Sequence, residues 1–308
     1  MKRVHRTTRR PSLDQLESRE LLTSVPLGAS PQDTAEFLLG DVGVNVVFLE
    51  SNGAIDPDTE QWTDSLASQV KANIEEGVQW WVDTLALHSD LHQLRFHVDY
   101  TFADAPVEIS YEPISRGSQD FTLWIEEFFR STDVPSAPGF TEEIRQFNHQ
   151  QRIQNDTNWS FTIFVVNAEN DPNDRFGDAN GNGTIFQRAF AYPGGQFIVM
   201  PHSRPPATVA HEVGHMFWAF DEYSNGDSYT SRRGYYATQN TNGFKNHPNP
   251  QTREPSIMAS TGSPYGNHQV SQATREVLGW RDSDNDGIFD VLDVPHVLTG
   301  TTTFDEVN

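Results

Sequence analysis

Thr208-Val-Ala-His-Glu-Val-Gly-His-Met-Phe-Trp-Ala-Phe-Asp-Glu-Tyr223 is the stretch from which the rest of the chain is read. At its centre stands His211-Glu212-Val213-Gly214-His215. On a helix, residues four apart lie one turn apart on one face, so the two imidazoles project together. That spacing lets two neutral ring nitrogens hold one Zn²⁺ at about 2.0–2.1 Å. Glu212 is then close enough to polarise a water on the metal without taking a ligand position. Two surface histidines on an amphipathic helix would be the plainer account. Val209, Ala210, Val213, Phe217 and Phe220 argue against it, because they make the helix largely apolar and so buried. A buried His-Glu-His cluster needs polar partners.

A catalytic zinc takes three protein ligands and leaves one position open for water. No glutamate lies about 20 residues after His215, so a second-helix ligand of the thermolysin kind is not expected. Asp221 and Glu222 are the near candidates. Asp221 is about 9 Å along an unbroken helix from His215. It reaches the metal only if the helix ends and the chain turns back. Whichever of the two is not a ligand is available to hold a ligating imidazole in place.

The run His211-Glu-x-x-His215 with Asp221 at the eleventh position resembles the metzincin pattern HExxHxxGxxH/D. The longer run, through Asp221-Glu-Tyr223, is similar to a subset of secreted bacterial metallopeptidases related to the IgA-cleaving type. The resemblance implies an α/β (α+β) catalytic domain over 35–281, with a mixed twisted sheet, a long backing helix and an active-site helix. It implies a zinc-dependent endopeptidase in which a zinc-bound water attacks the peptide bond and Glu212 is the general base. The glycine at which a metzincin chain turns corresponds to Trp218. A bulky side chain is costly at positive φ. Either the turn falls one or two residues later, or Glu222 is the ligand; spacing favours Asp221. Ser256-Ile-Met-Ala259 resembles the methionine turn beneath the metal, with Met258 as its methionine. Tyr223 and Tyr265 are candidates to stabilise an oxyanion, since a phenol can donate to developing charge. By the same likeness, the strand 196–200 forms the edge along which an extended peptide binds.

The composition bounds the remainder. With 308 residues the chain fits one large domain or two small ones. The formal charge is −22, and residues 1–30 are net basic, so the body is more acidic still. Such a surface repels nucleic acid and anionic lipid and favours cations. There is no cysteine, which excludes disulfides and thiolate metal sites. No apolar run approaches the length of about 18 residues that a membrane-spanning helix needs.

Residues 1–34 read as a leader. Met1 to Arg10 is basic, but no apolar stretch follows, so the usual signal-peptide pattern is missing. Leu16-Glu-Ser-Arg-Glu-Leu-Leu22 resembles instead the core of a short leader on exported proteins of one bacterial group. That resemblance implies an extracellular or cell-surface location. Beyond the leader, 43–49 reads as a buried strand. Trp62, Leu66, Val70, Ile74, Val78, Trp81 and Leu85 recur every three or four residues, so 58–87 reads as an amphipathic helix. The stretch 92–101 reads as a strand with 107–111 as its partner, 121–129 and 141–154 as helices, and 159–166 as a strand. Asp178, Asn180, Asn182 and Gly183 imitate the first half of a calcium loop, but Phe186 and Ala189 stand where oxygens are needed, so a solvated turn is expected. Two short strands, 188–191 and 196–200, flank the turn Tyr192-Pro-Gly-Gly195. The polar stretch 225–255 reads as a long loop near the site.

A second metal motif closes the chain. Asp282, Asp284 and Asp286 fall at positions 1, 3 and 5 of a calcium loop, with Gly287 at 6, the Ile288 carbonyl at 7, Asp290 at 9 and Asp293 at 12. Carboxylates this close repel one another without a cation such as Ca²⁺. The segment 282–293 resembles a thrombospondin type-3 or dockerin-like repeat, with 294–308 a tail or linker. The main reading is therefore a secreted peptidase acting on a protein or peptide. Two other readings are a calcium-stabilised surface or adhesion protein with a non-catalytic zinc site, and a zinc hydrolase of a non-peptide substrate. The intact Glu212 argues against the first of these, because a structural zinc needs no base.

Overall fold

The structure, a computed structural model, describes residues 33–293 apart from 133–136, 138, 178–181 and 183. The leader up to residue 32, the tail 294–308, and Asp178, Asn180 and Gly183 of the loop weighed for calcium lie outside the described residues.

Gly40–Ser51 (β1) is the central strand of the sheet. Along 40–45 it pairs in parallel with Leu94–Tyr100 (β2), and along 49–51 with Ala105–Ile109 (β3). The sequence suggests β2 and β3 as partners of each other. The short helix Thr101–Asp104 (α2), bridged to Val47 through Phe102, instead carries the chain on along the same edge, so that both strands lie in turn beside β1. On its other side β1 pairs in parallel with Trp159–Val166 (β4), which pairs in parallel with Phe197–Pro201 (β6). Phe190–Tyr192 (β5) runs antiparallel to β6 and forms the outer edge. The sheet is mixed, with order β2-β1-β4-β6-β5, and the expected α/β (α+β) class is met. The strand expected at the peptide-binding edge is β6, but β6 is enclosed between β4 and β5. Its free side is taken because the turn at 193–196 folds the three residues of β5 back against it, so β5 is the edge.

Parallel strands covered on both faces read as unbroken apolar runs, and β4 is buried at all eight positions. Its side chains alternate between two cores. Phe161, Ile163 and Val165, with Val42, Val44, Val46 and Phe48, face Asp64–Ala86 (α1) and Pro206–Met216 (α5). Phe164 and Val166, with Val47 and Leu49, face Phe121–Arg130 (α3) and Phe140–Gln154 (α4). The result is a three-layer helix–sheet–helix arrangement. The buried Thr162 and Asn148 side chains are paired, as burial demands. Thr162 Oγ1 donates to Asn148 Oδ1 of α4 at 2.6 Å, and Asn148 Nδ2 donates to the Gly195 and Gln196 carbonyls at 2.9 and 2.7 Å. One side-chain amide thus ties α4 to the β5–β6 turn.

Helix α1 starts six residues later than its apolar spacing suggests, because the Thr63 hydroxyl caps it by accepting from Leu66 N at 3.2 Å. Trp62, counted in the helical pattern, stacks on Phe48 from the loop before it. Gly77 lets α1 approach α5: a Cβ there would stand 2.5 Å from Val209 Cβ. Trp81 Nε1 donates to the Ala210 carbonyl at 2.8 Å. Helix α1 is therefore the rigid backing of α5.

Beyond α5 the chain is mostly irregular. It forms a small hairpin of Arg232–Arg233 (β7) and Thr238–Gln239 (β8), then the short helices Ser263–Gly266 (α6) and Gln272–Val277 (α7). The acidic loop that follows is packed onto the domain. Phe289 and Val291 are buried in the same core as α1, and the Phe289 ring stacks on His92 with centroids 4.1 Å apart. Among the described residues, no helix is long and apolar enough to cross a membrane.

Candidate metal centre

Pro206 opens α5 at a position where a missing N–H is harmless. The helix then carries His211 and His215 on one face, both more than nine-tenths buried. It ends at Met216 in a reversal. Trp218 N donates to the His215 carbonyl at 3.0 Å and Ala219 N to the Gly214 carbonyl at 3.0 Å, the pair of bonds of a Schellman turn. Trp218 holds the left-handed position of that turn, at φ +72. The turn thus falls where the metzincin glycine would stand, and not one or two residues later. Gly195 N donates to the Met216 carbonyl at 2.9 Å, so the β5–β6 turn caps the end of the helix.

The reversal brings Asp221 back onto the histidines. His211 Nε2 and His215 Nε2 are 3.2 Å apart, and each lies 3.2 Å from Asp221 Oδ1. The other nitrogen of each ring faces a backbone carbonyl, Ile257 O at 3.0 Å for His211 and Ala219 O at 2.8 Å for His215. A carbonyl can only accept, so each Nδ1 carries the proton and each Nε2 offers a lone pair. Asp221 Oδ1 is buried and accepts no hydrogen bond. Three acceptor atoms therefore converge on one point, an arrangement suited to a cation. Burial lowers the pKa of His215, but the Asp221 carboxylate outweighs it and holds the pKa up to about 9. Burial also opposes ionisation of Asp221, yet the His215 and His211 rings hold its carboxyl far below the usual range.

Asp221 is itself held from behind. Its N–H donates to Asp227 Oδ2 at 3.1 Å, and Asp227 N donates to the Asp221 carbonyl at 3.0 Å. Arg233 pairs with Asp227 and lies over the Phe220 ring, 4.2 Å from its centroid.

Glu222, the alternative ligand, points the other way and is fully buried. Its carboxylate accepts from Ser271 Oγ at 2.5 Å, Thr274 Oγ1 at 2.9 Å and Asn242 Nδ2 at 2.9 Å. It fastens α7 and the 240s loop to the site, and it neither faces the metal point nor touches an imidazole. The rings are oriented by backbone carbonyls instead. One of these belongs to Ile257, in the turn that carries Met258. Met258 is fully buried beneath α5, its sulfur 2.8 Å from where a Cβ on Gly214 would stand. The turn therefore both supports the helix between its histidines and anchors His211.

Glu212 lines the cleft, makes no hydrogen bond among the described residues, and has its pKa raised by burial. Tyr223 lies along the His211 ring, with centroids 6.4 Å apart, and borders the cleft. Burial and then the neighbouring Asp221 carboxylate raise the pKa of its phenol. Tyr265 is elsewhere: its hydroxyl donates to Glu76 Oε1 of α1 at 2.9 Å and its ring stacks on Trp80, so it has a structural role. The cleft has two lobes, of about 220 and 330 Å³, that share His211, Glu212 and Tyr223. Phe186, Arg188, Arg204, Asp227 and Arg233 also line it; sequence reasoning missed them, because no motif marks them and only the fold brings them together.

In the acidic loop, ligand atoms of Asp282, Asp284 and Asp286 lie within 4.8 Å of one another. Asp282 Oδ1 is buried and without a hydrogen bond. Asp290 does not join them; it accepts from Ser283 N at 2.8 Å and from Arg281 Nε at 2.9 Å. Ile288 N donates to Asp286 Oδ1 at 2.8 Å, and Asp293 is exposed and stands outside the group of three.

Compared with known protein families and with curated proteins, the chain gives no match to either.

Proposed function

We propose that this protein is a zinc-dependent endopeptidase of the metzincin kind, with Zn²⁺ held by His211, His215 and Asp221. The observation that carries this reading is the triangle of acceptor atoms with 3.2 Å sides. Three ligands at about 2.0–2.1 Å from a tetrahedral zinc stand roughly 3.3 Å apart, with a fourth corner left open. When bound, Zn²⁺ supplies Lewis acidity, acidifying water and polarising a carbonyl.

The chain's own residues do the remainder. Glu212 takes a proton from the water whose oxygen adds to the peptide carbonyl carbon. As the C–N bond breaks, it returns that proton to the leaving amine. A carboxyl whose pKa is raised by burial suits a group that must both take and give a proton near neutrality. Tyr223, at the rim, donates to the developing oxyanion. The edge strand β5 offers unpaired backbone groups to an extended peptide, which adds to the sheet beside the cleft. The test is metal content and casein cleavage for wild type and Glu212→Ala. Near-stoichiometric zinc in both, with cleavage lost only in the variant, is expected. A zinc-loaded wild type that cuts no peptide would overturn the reading.

We further infer that Asp282, Asp284 and Asp286 hold Ca²⁺, a reading supported by ligand atoms of the three lying within 4.8 Å of one another and by the buried, unbonded Asp282 Oδ1. Sites this exposed suit millimolar calcium, in keeping with an extracellular or cell-surface setting.

A further inference from the structure

One short segment, 186–190, supplies a wall of each lobe of the cleft. In the smaller lobe that wall is apolar, facing a polar wall that carries the Asp227–Arg233 ion pair. Phe186 stacks on Phe190 with centroids 4.9 Å apart, is 42% exposed, and is joined by Ala191 and Pro193. The larger lobe is cationic and hydroxylic, lined by Arg188, Arg204, Thr208, Ser260 and Thr261.

The two arginines differ. Arg204 is fixed and neutralised: it pairs with Asp174 and bonds Ser203 Oγ at 2.7 Å. Its side chain is 12% exposed and its Nε is buried without a partner. Arg188 is exposed and makes no ion pair or hydrogen bond among the described residues. The whole sequence has 43 acidic and 21 basic side chains, so a cation finds an anion easily. Arg188 lines the same lobe as Glu212, and an unpaired guanidinium there is an anion receptor whose planar fork matches a carboxylate. The Thr208, Ser260 and Thr261 hydroxyls line the same lobe and can donate to the same group. Glu212 borders both lobes and so sets no preference between them.

We propose that the Arg188 lobe accepts an acidic side chain of the substrate on one side of the hydrolysed bond, while the Phe186 lobe takes an apolar side chain on the other. The inference rests on the peptidase reading. It names the substrate class as peptides in which a carboxylate and an apolar residue flank the cut.

Binding and cleavage are tested separately. Fluorescein-labelled decapeptides that differ only in Glu or Lys at one scanned position are titrated into the full chain carrying Glu212→Gln. At one position the Glu peptide is expected to bind at least about tenfold more tightly than the Lys peptide, given what opposite and like charges do at a contact. Arg188→Glu in the same background inverts that order, and Arg188→Lys restores part of it. Equal affinities at every position, or a preference that survives Arg188→Glu, overturn the inference. Cleavage of the same peptides by the zinc-loaded wild type then addresses the other reading. Cutting without acidic selection leaves the peptidase and removes the lobe assignment. Arg188-dependent binding without cutting leaves the lobe and removes the peptidase.

Discussion

The indole of Trp218 lies against Gly194, so closely that a Cβ on residue 194 would stand 2.4 Å from Cζ2. The contact explains how a tryptophan holds the left-handed position that ends α5. That conformation costs an L-residue roughly 1–2 kcal/mol, and packing the large ring over a bare backbone offsets it. The glycine that this arrangement needs stands in the hairpin turn that receives the side chain. Gly194→Ala is therefore expected to destabilise the protein by roughly 1–3 kcal/mol through overpacking, with the strain of a Cβ at φ +80 added. It should also weaken zinc binding, since Trp218 precedes Asp221 in the same reversal. Gly266→Ala, where an added Cβ meets nothing within 4 Å, is the control. Urea unfolding and zinc titration read both effects. A Gly194→Ala protein matching the control in both would remove this account of the turn.

This contact also marks how far the sequence could be read. The helix with two histidines, the buried strand β4 and the long helix α1 each announce themselves by local periodicity. The tolerance of Trp218 does not, because its compensation sits 24 residues earlier and is tertiary. Glu222 and Asp221 are adjacent carboxylates that spacing barely separates. The backbone reversal, with Ser271, Thr274 and Asn242 waiting for one of them, assigns them opposite directions. The sequence does not reveal the edge strand, because β5 has only three residues, too few for a pattern to show which side of β6 it covers.

Those opposite directions make a paired experiment. Asp221→Ala removes an acceptor from the metal point and leaves the packing behind it intact. It is expected to lose zinc and keep its fold. Glu222→Ala deletes an anion that satisfies three buried donors and should cost about 3 kcal/mol or more, while the ligand atoms stay. Zinc content and unfolding free energy, measured on both variants, separate the roles. Retention of zinc by Asp221→Ala would exclude it as a ligand.

A pH effect is expected away from the site. Glu112 is 2% exposed, and burial, with the nearby Glu60 and Asp58 charges, pushes its pKa up to about 7 from the usual 4.5. The native state then holds a proton that the unfolded chain releases earlier. Its contribution to stability is full below pH 4.5 and is lost as pH rises through about 7. Glu36, held up to about 7 mainly by burial, adds in the same sense. Glu112→Gln, which keeps an oxygen for the Thr59 amide, should flatten the stability profile between these limits. At pH 8 it should be more stable than wild type. Urea titrations at half-unit pH steps check this, and parallel profiles for the two proteins would show that Glu112 stays ionised in the fold.

Calcium should act on the whole domain, because the acidic loop is continuous with the core. Asp282, Asp284 and Asp286 crowd their oxygens together, and backbone N–H groups screen them only in part, as in Gly287 N to Asp282 Oδ2 at 3.0 Å. Two residues after Gly287 the chain enters the core through Phe289, then Val291. Fixing the loop therefore fixes a wall of the α1 core and the ring packed on His92. At one to ten times its Kd, which millimolar calcium gives a site of this kind, a ligand stabilises the native state by roughly 0.4–1.4 kcal/mol. In a domain of this size that corresponds to a rise in Tm of roughly 1–4 °C. Millimolar Ca²⁺ is expected to give such a rise, EGTA to reverse it, and Mg²⁺ not to replace it, since the larger ion suits a flexible carboxylate loop. Asp284→Asn should abolish the shift without changing zinc content. Asp290→Asn should retain most of it, because Asp290 is engaged by Arg281 and Ser283 instead of facing the cluster. A Tm indifferent to calcium in the wild type would leave the loop as an acidic turn held by Phe289 and Val291 alone.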